Sequence, residues 1–172
     1  MELIYIITCF LQPILLPTPE AITISMGSMA FGSFNAFVMG FLGTMLGIIT
    51  MYSISKRFGL KLIMKFIKDK DLEKYKSYVK RNEVLLTGLL FIIPILPDEV
   101  VCAGAGVLGI AKKPFFIIAA VTKMITIASY SYMVEFAANF NIHGIELILT
   151  ELVILIAIVS INGIAKYKKV SV

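Results

Sequence analysis

The 172-residue sequence predicts an all-α integral membrane protein with an inverted repeat of two re-entrant (broken) helical elements, each followed by a transmembrane helix. Amphipathic interfacial helices and a C-terminal transmembrane helix complete the expected single membrane domain over 1–172. Composition is the first reason: 59% of residues are apolar and mean hydropathy is +0.92, which leaves no room for a sizeable soluble domain beside a membrane part. The second is that apolar sequence is broken by Pro17 and Pro19 and again by Pro94 and Pro97, in both places with an acid directly after the second proline. The third is charge placement. Ten of the 16 basic residues lie between Lys56 and Arg81, and the rest include the pair Lys112–Lys113 and the tail lysines 166, 168 and 169, so the net charge of +5 marks membrane orientation and not a nucleic-acid partner.

Residues 1–34 are expected to hold an N-terminal helix and the first re-entrant element. Met1-Glu2-Leu3-Ile4 lacks a basic n-region, and no cleaved signal peptide is expected. The apolar run from Leu3 to Leu16 contains Pro13 and should break near Pro17. Thr18, Pro19 and Glu20 then read as a helix start, with a hydroxyl at the N-cap, proline in the first turn and an acid favoured by the helix dipole. From Ala21 to Ser55 there are 35 residues without a charge. As one helix they would extend roughly 50 Å against a hydrocarbon core of about 30 Å, so the run must divide. Gly27-Ser28 and Gly32-Ser33 are the candidate turns, and 35–55 is the first full span. Gly40, Gly43 and Gly47 give that span a smooth face for close helix packing, either in the core or in a dimer.

Lys56-Arg57-Phe58-Gly59 closes the span and opens a basic amphipathic segment, 56–83, suited to lie on anionic headgroups. The second re-entrant element, 84–111, has Asp98 and Glu99 as its only formal charges, and acids in such sequence are functional candidates. Gly27 in the first re-entrant element and Gly104 and Gly106 in the second are counted with Pro17, Pro19, Pro94 and Pro97 as structural breaks. A second span, 114–134, carries Lys123 near its centre, where a lysine costs roughly 3 kcal/mol or more without a partner. Asp98, Glu99 and Glu20 are the candidates. A polar loop from Glu135 to Glu146, holding the sole His143, leads to the last span, 145–165, in which Glu151 snorkels to the interface. The positive-inside rule puts 56–83, the Lys112–Lys113 turn and the C-terminus in the cytoplasm, in a multi-pass protein of the cell membrane if the source is prokaryotic.

That topology predicts inverted halves. At an offset of 79 residues Glu20 matches Glu99, Gly27 matches Gly106 and Phe37 matches Phe116; at 78, Pro19-Glu20 matches Pro97-Asp98. Which carboxylate is the counterpart of Glu20 is left open. Cys9 and Cys102 have no metal or redox spacing and read as buried apolar residues.

From Pro17 to Glu135 the chain resembles the DedA or VTT-domain (SNARE-associated Golgi protein) family. The resemblance rests on Glu20 after its proline break, Gly27, Asn35, Gly43, Gly47, Tyr52 and Lys56-Arg57-Phe58-Gly59, then on Pro94-x-x-Pro97 with Gly106 nine residues beyond. Ser55 stands where the family has glycine. Phe91 and Pro97 stand where the bacterial branch has arginines, so arginine-dependent steps do not carry over, and Glu99 occupies a site often filled by a neutral amide.

The resemblance implies movement of phospholipid or polyprenyl-phosphate lipid between leaflets by paired re-entrant elements that meet mid-membrane. Glu20, Asp98, Glu99, Lys123 and Arg57 are then the transport or substrate-binding residues, with proton exchange at the acids left open. Two other readings stand beside it: a proton- or ion-coupled transporter of a small solute, and a non-catalytic membrane scaffold. Expected partners are membrane lipids, with anionic headgroups at the cytoplasmic face, and protons; a second copy of the chain is left open. No enzyme activity, cofactor or metal is expected, since the sequence lacks an acid-rich metal cluster, a nucleophile elbow and a phosphate loop.

Overall fold

The structure, a computed structural model, describes residues 1–15, 18–63, 69–79, 83–92 and 96–139. Within them the chain is wholly helical: α1 (Glu2–Leu11), α2 (Glu20–Phe31), α3 (Ser33–Ile63), α4 (Asp69–Val79), α5 (Glu83–Ile92), α6 (Asp98–Leu108) and α7 (Lys112–Asn139). Two of these are long and apolar enough to cross a membrane, Ser33–Gly59 of α3 and Lys112–Ala137 of α7. The sequence of a helix, a proline break, a short helix, a glycine and a long helix occurs twice, in α1–α2–α3 and in α5–α6–α7.

Each boundary has a local cause. α1 stops at Leu11, earlier than expected, because Pro13 cannot continue the ladder, and Gln12 caps it. α2 and α6 begin directly behind Pro19 and Pro97, which hold extended dihedrals at the N-cap. At the far end of α2, Gly32 (φ 82, ψ 155) turns the chain into α3 in a backbone region open essentially to glycine alone. α6 ends in a Schellman turn at Gly109 (φ 73, ψ 25), with the Ile110 amide donating to Ala105 and the Gly109 amide to Gly106. α3 runs past the expected span limit and kinks at Gly59 (φ 66).

Three glycines read from sequence as breaks are not breaks. Gly27 lies inside α2, and Gly104 and Gly106 lie inside α6; the turns fall at Gly32 and Gly109. At two of the three, close packing explains the residue type: a Cβ on Gly27 would lie 2.3 Å from the Tyr5 ring, and one on Gly106 would lie 2.6 Å from the Tyr52 carbonyl oxygen. Thr18 is likewise not the N-cap of α2, a place taken by Pro19; the Thr18 hydroxyl instead accepts a hydrogen bond from Gln12 Nε2 at 3.1 Å. α7 continues to Asn139, so Glu135 is helical rather than the start of a loop. Pro17, Pro94, His143, Glu146, Glu151 and the expected span 145–165 lie outside the described residues.

α3 is the central strut, packed against α6, α1 and α7. Its glycine face receives α1: a Cβ on Gly43 would meet the Ile6 carbonyl at 2.8 Å, and one on Gly47 the Phe10 carbonyl at 2.3 Å. Tyr5 hydroxyl donates to the Ala36 carbonyl and fixes α1 along that seam. At the other end Tyr52 stacks on Phe115, donates to the Ile110 carbonyl and accepts from Lys56 Nζ at 3.2 Å, tying the end of α3 to the start of α7. Beside Gly32, Ser28 donates to the Ser131 carbonyl and Ser131 to the Ser33 carbonyl, which ties the α2–α3 turn to α7.

Candidate functional site

The proline breaks put two carboxylates at equivalent places. Glu20 is the first residue of α2 and Asp98 the first of α6, each directly after an N-cap proline and each favoured there by the partial positive charge of the helix start. Neither N-cap proline has a side-chain group to cap its helix, and both acids turn toward one shared partner. That partner is Lys123, at the middle of α7. Its Nζ donates to Glu20 Oε1 and Oε2 at 3.0 Å each and to Asp98 Oδ2 at 2.5 Å.

Lys123 is only 1% exposed, whereas the Glu20 and Asp98 side chains keep 15% and 22% of their surface. Phe91 of α5 lays its ring over the ammonium, with Nζ 5.3 Å from the centroid, a cation–π contact that closes the lysine from the α5 side. Thr126, one turn along α7, donates to Glu20 Oε2 at 3.4 Å. Residues from α2, α5, α6 and α7 thus converge on one ammonium. With all three groups ionised the cluster carries a net charge of −1.

Of the residues expected from sequence, the structure brings Glu20, Asp98 and Lys123 together. Glu99, half-buried beside Asp98, is not among the groups that Lys123 contacts. Arg57 is exposed at the far end of α3, its guanidinium over the Phe58 ring, and that end is fastened to the start of α7, roughly 16 Å of helix away from Lys123. Pro19 and Pro97 set the helix starts that present the two acids. Sequence reasoning did not single out Thr126 or Gln12, and it noted Phe91 only as a departure from arginine. Thr126 had a signal: three residues after Lys123, it shares its helix face.

Gln12 extends the polar surroundings of α2. Its Nε2 donates to Thr23 Oγ1 at 2.9 Å and to the Thr18 carbonyl at 3.2 Å, so the end of α1 is fixed to the first turns of α2. Cys9 and Cys102 are free thiols buried in the two apolar cores. Among the described residues no group of three or more His, Cys, Asp or Glu side chains could hold a metal ion. What the arrangement can do is exchange ion-pair partners: a mobile charged group that reached the carboxylates would compete with Lys123 for them.

The VTT domain family matches residues 17–136, a stretch that contains every residue of this cluster. The chain is also 26% identical over 117 residues to the uncharacterized membrane protein YhjE of Bacillus subtilis (strain 168), an alignment that covers 67% of this chain and 54% of YhjE. It therefore spans about half the length of that curated relative. No solved structure matches the chain. With its family match covering well over half the sequence, the chain belongs to the VTT-domain family, the DedA and SNARE-associated group of membrane proteins.

Proposed function

We propose that the protein moves a phospholipid or polyprenyl-phosphate lipid between membrane leaflets, with the Glu20–Lys123–Asp98 cluster as the polar centre of the path. One observation carries the reading: a lysine at the middle of an apolar helix is held between the first residues of two helices that each begin behind a proline break. Helix starts within a membrane are tolerated where they line a cavity, and broken helices of this kind commonly frame binding sites in transporters. Membership of the VTT-domain family agrees with this reading.

In the proposed topology α2 and α6 are re-entrant from opposite faces, α3 and α7 cross the membrane, and 56–83 rests on anionic headgroups in the cytoplasm. Arg57 belongs to that surface and not to the central cluster. Purified protein in liposomes tests the function directly. Acyl-labelled phospholipid or polyprenyl phosphate should cross between leaflets faster than in protein-free vesicles, and an unchanged rate would defeat the proposal. Cation flux without lipid movement would instead favour transport of a small solute through the same site.

A further inference from the structure

Where the end of α3 meets the start of α7, positive charge gathers without an acid. Tyr52, buried one turn before Lys56, donates to the Ile110 carbonyl and accepts from Lys56 Nζ at 3.2 Å. The Lys56 ammonium is thereby held within two hydrogen-bond lengths of Ile110, and Lys112 and Lys113 follow directly behind that residue. Lys56, Arg57, Lys112 and Lys113 are all exposed, and among the described residues none of them has an ion-pair partner. Asp98 and Glu99 stand at the opposite end of α6, roughly 16 Å of helix from this corner. Four like charges so placed draw a counter-anion from outside the chain.

Depth and surroundings decide which anion. Along α7, Lys112 precedes Lys123 by roughly 16 Å of helix, and half of a hydrocarbon core of about 30 Å is about 15 Å. With Lys123 at the middle of the membrane, the corner falls at the level of the lipid phosphates. Its flanks are apolar. Ile117, one turn along α7 from Lys113 and on the same face, is 65% exposed, and Leu108, the last residue of α6, is 40% exposed. A soluble anion has no use for such flanks, whereas the chains of a lipid lie against them.

From this charge, depth and apolar flank we propose that Lys56, Arg57, Lys112 and Lys113 bind the phosphate of one anionic phospholipid, which bridges the end of α3 and the start of α7. The general affinity of 56–83 for anionic headgroups is thereby narrowed to one place and extended to α7. Binding here needs only α3 and α7 as membrane spans, so a failure of lipid crossing leaves it standing. Tyr52 holds the Lys56 head in position, Arg57 offers a planar fork to two phosphate oxygens, and Lys112 and Lys113 act as point charges. Phosphatidylcholine cancels its phosphate with its own trimethylammonium; phosphatidylglycerol keeps a net negative charge. The bridged junction is the one that the Tyr52–Ile110 hydrogen bond already fastens, so a bound lipid stabilises the fold.

Native mass spectrometry and melting curves of the intact chain in neutral detergent test this. The first phosphatidylglycerol should be retained at a concentration about tenfold or more below that needed for phosphatidylcholine. The double change Lys112→Gln, Lys113→Gln should weaken that retention about thirtyfold, the scale of two lysines near an anionic surface. Lys70→Gln with Lys76→Gln removes the same charge from α4 and should weaken it less than about threefold. Equal weakening by the two pairs overturns the site, and so does equal retention of the two lipids. Inorganic phosphate separates the sources: if it raises the melting temperature at the concentration at which lysophosphatidylglycerol does, the corner binds a free anion and the lipid assignment fails.

Discussion

Lys123 is stable at the middle of an apolar helix because it is never presented to that surrounding as a lone charge. Removing it leaves Glu20 and Asp98 facing each other without a counter-ion, whereas removing all three charges leaves a neutral, hydrogen-bonding cavity. Lys123→Met should therefore destabilise the protein by roughly 3–5 kcal/mol. The triple change Glu20→Gln, Asp98→Asn, Lys123→Met should recover most of that stability, and melting curves in detergent measure both. A triple variant as unstable as the single one would show that the lysine acts through packing alone. Tyr52 makes a second residue-scale case: Tyr52→Phe keeps the stacking on Phe115 but deprives the Ile110 carbonyl of its donor, for a loss of about 1–2 kcal/mol in the same assay.

The partners of Lys123 show what a sequence can and cannot specify at this scale. Its cost in an apolar span announces that an acid must be near, and Glu20, Asp98 and Glu99 were the available acids. Choosing among them requires the rotation of α6 about its own axis. Adjacent residues on a helix point about 100° apart, so Asp98 reaches the ammonium and Glu99 does not. That rotation is set by packing of α6 against α3, which one sequence without its contacts does not reveal.

At the scale of elements the prolines announce themselves and the glycines do not. Proline lacks an amide proton and fixes φ, so Pro19 and Pro97 mark helix starts under almost any packing. Glycine serves two unrelated needs, a backbone conformation or a close approach. Gly32 and Gly109 serve the first; Gly27, Gly43, Gly47 and Gly106 serve the second, and a single sequence writes both with the same letter.

Substitution separates the two uses. Gly32→Ala meets nothing within 4 Å, so its cost is the strained backbone alone, about 1–3 kcal/mol. Gly47→Ala has an ordinary helical backbone but sets its Cβ 2.3 Å from the Phe10 carbonyl, so α1 must move away from α3. It should cost roughly 1–3 kcal/mol and raise the reactivity of the buried Cys9 toward a membrane-permeant maleimide. Gly32→Ala should leave that reactivity unchanged. Equal labelling in the two variants would contradict the seating of α1 on the glycine face.

For the whole molecule, two runs of helix, break, short helix and long helix bring their first acids to one lysine. The offset of 78 residues that pairs Glu20 with Asp98 is the one realised at the cluster, and the offset of 79 that pairs Glu20 with Glu99 is not. The proposed orientation is open to direct labelling. Cysteines placed singly at Lys70 and Lys112 should react with an impermeant maleimide only when the cytoplasmic face is opened, since Cys9 and Cys102 are buried and give a low background. Reaction of both from the outside of sealed right-side-out vesicles would reverse the topology.

The central claim is that the Glu20–Lys123–Asp98 cluster lies on the path of a lipid between leaflets. The most direct measurement is the rate at which acyl-labelled lipid crosses liposomes that hold equal amounts of folded wild type, Glu20→Gln or Asp98→Asn. The account predicts measurable crossing by the wild type and a loss of about tenfold or more in each variant, the effect of removing one charge-assisted contact from the path. Wild-type rates in both folded variants would contradict it.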